Sequence, residues 1–204
     1  MNRLTILSMD QIRAQMETNF FGVLAVTKGA IPTFRERRSG ILVMISSASG
    51  LTGTPSQSIY SASKFAMEGA SESIAEELRE FGVRVLIVEL GAYRTPFQAA
   101  VDKPTDVISE PYKGTVSDKT AQRITAGHGR QAGDPVKAAR AIVEVVTKTG
   151  RGKDLGDIMR LPLGKDALHR ADVKIKSLSD DVARTKDLAE WAVFDTTYDG
   201  YPPL

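Results

Sequence analysis

Ser47, Tyr60 and Lys64 are the residues of this chain whose types and spacing can do chemistry. Tyr60 and Lys64 stand four apart in a stretch that reads as helix, so their side chains share one face. An isolated tyrosine hydroxyl titrates at about 10. A neighbouring ammonium stabilises the phenolate and lowers that value, and a tyrosine so tuned can give or take a proton near neutral pH. Ser47 lies thirteen residues before Tyr60, in a loop that follows an apolar run. Open α/β sheets meet their ligands at the carboxyl ends of strands, so the Ser47 hydroxyl can hold a substrate oxygen beside Tyr60. A lone Tyr-x-x-x-Lys pair is a weak signal, and its plain reading is a half-buried tyrosine beside a solvated lysine. The joint pattern carries more: strand, Ser46-Ser47-Ala48-Ser49-Gly50, Tyr60-Ser61-Ala62-Ser63-Lys64, helix, strand, then Gly91-Ala92-Tyr93-Arg94-Thr95.

The elements that must position these residues follow from periodicity. Ser8 reads as a helix cap, and Ile12, Met16, Phe20, Val23, Leu24 and Thr27 form a stripe, predicting a helix over about 9–37 that Pro32 kinks or ends. Ile41 to Ile45 is apolar without alternation, as in a strand covered on both faces. Residues 46–58 read as loop, 58–80 as helix closed by Phe81-Gly82, and 83–90 as a second buried strand. Residues 91 to about 132 show no sustained period and read as a long functional loop with short helices. Asp134 caps a third helix with Pro135 at its first position. Ile158 to Leu163 is a short strand, 165–194 a helical tail, and 195–204 an exposed end. This alternation predicts an α/β parallel sheet in a single partial domain over 1–204: a core at 9–100, a substrate loop at 101–132, and helices with a short strand at 133–204.

Composition narrows the field. The 204 residues, 42% hydrophobic and 25% charged, suffice for one sizeable core. A formal charge of +2 argues against a nucleic-acid binder, and Arg35-Glu36-Arg37-Arg38 reads as a solvated helix end. There is no Cys, which excludes disulfides, thiolate catalysis and Cys-based zinc sites. The two histidines, His128 and His169, are too far apart in sequence to pair on a helix, so no metal is expected. No apolar run approaches the roughly 20 residues of a membrane span, and the expected location is cytoplasmic. Trp191, Phe194, Tyr198 and Tyr201 are expected to pack a terminal helix.

The segment Ile41 to Phe97 resembles the short-chain dehydrogenases/reductases, especially the branch of hydroxysteroid dehydrogenases and carbonyl reductases. The resemblance is strong over about 9–100 and continues weakly through the Gly133-Asp134-Pro135 helix. It implies the C-terminal part of a Rossmann-like doubly wound parallel sheet, about three strands with flanking helices. It further implies that Tyr60 is the general acid in reduction and base in oxidation. Lys64 would lower the Tyr60 pKa and hydrogen-bond the nicotinamide ribose, and Ser47 would orient the substrate carbonyl or hydroxyl. Asn19, in Glu17-Thr18-Asn19-Phe20-Phe21-Gly22, matches the family's helix asparagine, which holds a water of the proton relay. Gly91 and Thr95 match the cofactor segment after the sixth family strand, whose Thr bonds the nicotinamide carboxamide. Leu90 stands where the family usually has Pro, and Tyr93 where it has a smaller aliphatic residue. The implied cofactor is NADP or NAD, the implied substrate a small carbonyl/alcohol pair, and the implied assembly a homo-oligomer through helices 9–37 and 58–80.

The family's glycine-rich pyrophosphate turn is not in this sequence. Gly150, Gly152 and Gly156 follow a helix rather than a strand and read as a helix-end turn. The chain is therefore expected to be a fragment, a misassigned start or a truncated product. Two other readings stay open: a truncated, inactive chain serving as a dimerisation module, and a relative of sugar-nucleotide epimerases or dehydratases, which also use Tyr-x-x-x-Lys.

Overall fold

The two unalternating apolar runs become neighbouring strands of one parallel sheet. The structure, a computed structural model, describes residues 7–97 and 109–193. Strand β1 (Gly40–Ser47) pairs with β2 (Val83–Leu90), which pairs with β3 (Arg160–Leu163), in the order β1-β2-β3. The register sets Ser47 beside Leu90 and Leu90 beside Leu163, so all three strands end level. Leu42, Met44, Val83, Val85 and Ile87 point to one face, where Met67 and Leu78 meet them with Phe20, Val23 and Phe34. Leu86 and Val88 point to the other, against Ile142, Val145 and Val146. Both faces of β2 are covered, which is why it does not alternate in sequence; on β1 the face of Ile41 and Val43 is only partly buried, and Ile45 is 47% exposed. This is the α/β, Rossmann-like three-stranded parallel arrangement with flanking helices that the sequence predicts.

The first helical stretch departs from the expected single α-helix. Helix α1 (Met9–Met16) passes through a π-helical turn (Glu17–Phe21) into α2 (Gly22–Arg37), the Gly22 N–H bonding back to the Glu17 carbonyl. Its start is fixed by a reciprocal box: Ser8 Oγ accepts from the Gln11 N–H at 3.2 Å, and Gln11 Oε1 accepts from the Ser8 N–H at 2.8 Å. Pro32 does not end the helix, which runs on to Arg37. Ile31 and Phe34 are packed on the core either side of it, and that burial outweighs the one hydrogen bond a proline removes.

Residues 48–57 hold a short helix α3 (Ala48–Leu51), and α4 (Ser58–Leu78) follows. Gly82 takes a left-handed φ of 67° before β2, where a Cβ would stand 2.7 Å from the Arg38 carbonyl oxygen. Within the expected substrate loop the described part contains α5 (Val116–Ala126); residues 101–108 of that loop lie outside the described residues. Helix α6 (Pro135–Thr147) begins as expected, with Asp134 Oδ1 accepting from Val136 N at 2.9 Å and Lys137 N at 3.2 Å. Gly150–Gly152 is a single 3-10 turn. A Cβ at Gly152 would stand 2.2 Å from the Glu144 carbonyl oxygen, in keeping with a helix-end turn.

Helix α7 (Lys165–Trp191) closes the described chain. The chain divides into two compact units, Met1–Ala171 and Asp172–Leu204. The described part of the second is helix with exposed Ile175, Leu178 and Val182, and with ion pairs such as Lys176–Asp180 at 3.0 Å. Trp191 is 79% exposed and so does not pack a terminal helix as expected; Phe194, Tyr198 and Tyr201 lie outside the described residues. Among the described residues no helix is long and apolar enough to cross a membrane.

Asp134→Ala removes two hydrogen bonds from the start of α6. It is expected to cost about 1 kcal/mol, read as a lower urea midpoint with an unchanged denaturant slope.

Candidate active site

At the level strand ends, one face of α4 lies against the last residues of β1. Tyr60, Lys64 and Glu68 succeed one another at four-residue steps along that face. Tyr60 shares a hydrogen bond with Ser47, Lys64 Nζ donates to the Ile45 carbonyl at 2.8 Å, and Glu68 Oε1 accepts from Ser46 Oγ. The structure thus brings Ser47, Tyr60 and Lys64 together. Ser46 is buried and faces Glu68, a structural role beside Ser47.

Asn19 joins the group from the π-helical turn. Its Nδ2 donates to Ser63 Oγ at 3.1 Å, and Ser63 Oγ donates to the Tyr60 carbonyl at 2.7 Å. Single π turns are frequent at functional sites, and this one carries Asn19 while Phe20 beside it packs into the core.

The electrostatics correct one expectation. Burial pushes the Tyr60 phenol above its ordinary range, and the Ser47 hydrogen bond only partly opposes this. Lys64 was expected to lower it, but Lys64 Nζ sits 5.9 Å from the ring centroid, bonded to the strand carbonyl. Burial also holds the Lys64 ammonium below its ordinary range, with Glu68 pulling it back up.

Gly91 is explained first by packing. A Cβ there would stand 2.0 Å from Asp166 Oδ1, whose other oxygen accepts from Ala92 N at 2.7 Å. The segment is further tied by Gly91 N to the Leu163 carbonyl at 2.9 Å and Arg94 N to the Gly133 carbonyl at 3.0 Å. Thr95 Oγ1 accepts from Phe97 N at 3.4 Å, and the Phe97 ring lies 6.0 Å from that of Tyr60. Thr95 therefore follows Gly91 at the same edge of the sheet, near Tyr60 in the fold.

Sequence reasoning missed the polar cluster underneath. Arg160, on β3, donates to Glu68 Oε2 at 2.7 Å, to Glu72 Oε1 at 2.6 Å and to Glu89 Oε1. Burial works against the arginine's charge, yet its three carboxylate partners hold its pKa above the ordinary value. Glu89 is 0% exposed; burial pushes its carboxyl up and Arg160 pulls it down. The signal was a glutamate inside Val-Arg-Val-Leu-Ile-Val-Glu-Leu, since a charge in a buried strand requires a partner. Arg170 was missed as well. It reaches from α7 to Thr54 Oγ1 at 2.7 Å, holding the loop between Ser47 and Tyr60. Thr54 N in turn donates to Ser61 Oγ at 3.2 Å.

Comparison with known proteins finds relatives of the chain. A family model described as short chain dehydrogenase matches residues 2–106. Oxidoreductase claN of Passalora fulva is 47% identical over 116 residues, 57% of this chain and 52% of that protein. Oxidoreductase BOA17 of Botryotinia fuckeliana (strain B05.10) is 31% identical over 186 residues, 90% of this chain and 65% of that protein. The crystal structure of a short-chain dehydrogenase from Streptomyces avermitilis superposes with a TM-score of 0.78 at 30% identity, covering 95% of this chain and 66% of that one. The chain thus spans between about half and two thirds of the length of these relatives.

Since the Ser47 hydrogen bond favours the phenolate, Ser47→Ala is expected to move the Tyr60 titration further up. The phenolate absorbance of each protein, taken as a difference against Tyr60→Phe, reads it; a downward move would contradict the assignment of that bond.

Proposed function

From the chain's membership of the short-chain dehydrogenase family, we propose that it catalyses nicotinamide-dependent interconversion of a carbonyl and an alcohol, with Tyr60 as acid and base. The observation that carries this reading is the Ser47–Tyr60–Lys64 cluster at the carboxyl ends of β1 and β2. The residues present fit the nicotinamide end of NADP or NAD. Lys64 has three donors and one goes to Ile45, leaving two for a ribose hydroxyl; Thr95 would meet the carboxamide. The sequence contains no glycine-rich turn for the pyrophosphate. When bound, the cofactor would supply the hydride chemistry.

The protein's own part is positional and protonic. In reduction, Ser47 Oγ donates to the substrate carbonyl oxygen and holds it beside the Tyr60 hydroxyl. Tyr60, protonated at neutral pH, donates its hydroxyl proton to that oxygen as the acid. In oxidation the same hydroxyl accepts the proton. Asn19, through Ser63, fixes the start of α4 and is read as the polar end of a proton path. Exposed Phe21 and Val26 on the first helical stretch support pairing with a second copy of the chain. Small carbonyl compounds, rather than sugar nucleotides, are the proposed substrates.

Tyr60→Phe is expected to lower kcat for carbonyl reduction by about 10²–10⁴-fold, with circular dichroism unchanged. NADPH oxidation against a panel of ketones and aldehydes measures it, and turnover retained in the variant would remove Tyr60 from the reaction.

A further inference from the structure

Glu68 occupies a built place on the face of α4 that presents Tyr60 and Lys64. It is 3% exposed. Ser46 donates to one of its carboxylate oxygens and Arg160 to the other, the latter at 2.7 Å. Gly50 makes room for it: a Cβ at that position would stand 2.0 Å from Glu68 Oε1. A buried carboxylate is costly, and apolar residues of similar volume often serve stability as well or better. Two donors thus hold a buried negative charge in one position on this face.

The charged and titratable groups around it come from every neighbouring element. Tyr60, Lys64 and Glu72 share α4, Glu89 comes from β2 and Arg160 from β3, while β1 contributes the neutral Ser46. Arg160 divides its charge among three carboxylates. Lys64 lies one helical turn from Glu68 and loses solvation through burial, which Glu68 offsets.

We propose that Glu68 is a positioning residue of the Ser47–Tyr60–Lys64 set: anchored by Ser46 and Arg160, its carboxylate is the fixed counter-charge of Lys64. This rests on the functional reading of Tyr60 and Lys64 given above. An opposite charge nearby favours the ammonium. Neutralising Glu68 therefore makes Lys64 lose its proton at lower pH.

The test is the pH dependence of Lys64 acetylation by acetic anhydride, read by mass spectrometry of the peptide that carries it. It needs neither cofactor nor substrate, so a chain that turns nothing over still answers it, and failure of the oxidoreductase reading stays distinguishable. In Glu68→Gln, which keeps an acceptor for Ser46, the Lys64 midpoint is expected to fall by about half a pH unit or more. Glu72→Gln touches the same arginine without Ser46 and is expected to move the midpoint less than half as far. An unchanged midpoint in Glu68→Gln, or an equal fall in Glu72→Gln, overturns the proposal. Should Glu68→Gln fail to fold, Glu68→Asp withdraws the charge by one methylene. A smaller fall is then expected, and no fall overturns the proposal.

Discussion

The packing of α4 across the end of β1 is the constraint on which the rest of the structure depends. Residues four apart on a helix rise about 6 Å, close to the advance of two residues along a strand, about 6.6 Å. Tyr60 on Ser47 and Lys64 on Ile45 match those steps. The two periods are commensurate here, so one helix face can hold a strand end at several points without bending either. Glu68 adds the intervening strand residue through the Ser46 hydroxyl. The Gly91–Thr95 segment, which starts from the end of β2, is held at the same edge by Asp166, Leu163 and Gly133.

Beneath it, Arg160 ties the same helix to the other two strands. The arginine comes from β3, and its carboxylates come from β2 and α4. Planar guanidinium geometry allows one side chain to serve several acceptors in fixed directions. Removing such a cation would leave Glu89 buried with no opposite charge, which is more damaging than losing a surface ion pair. A polar layer below a hydroxyl–ammonium cluster gives the site a stiff floor, and function at the strand ends can draw on it.

Much of this was legible in the sequence because the physics was local. The run at 83–90 is apolar on both faces because both faces are covered, and the run at 41–45 pairs beside it. The Asp134-Pro135 start and the Phe81-Gly82 stop are backbone requirements satisfied by neighbouring residues. Tyr60 and Lys64 could be paired from helical spacing alone. The partners Glu68, Glu89 and Arg160 could not, because only sheet pairing brings them together from distant stretches of chain. The Tyr60 shift was misjudged for a related reason: burial and the bond from Lys64 to Ile45 are tertiary facts, whereas sequence spacing shows only proximity. The π-helical turn leaves no mark on residue type, since it changes which carbonyl each N–H chooses rather than which residues face inward overall.

That turn also sets how this chain can accept insertions and deletions. A π turn holds one residue more than the α-helix on either side of it. Deleting a single residue between Glu17 and Phe21 would restore unbroken α-helical bonding, and the chain before it would rotate by about 100° relative to α2. The Asn19 amide and the Phe20 ring could not then both keep their places against α4. Length at this point in the helix is therefore as constrained as residue identity.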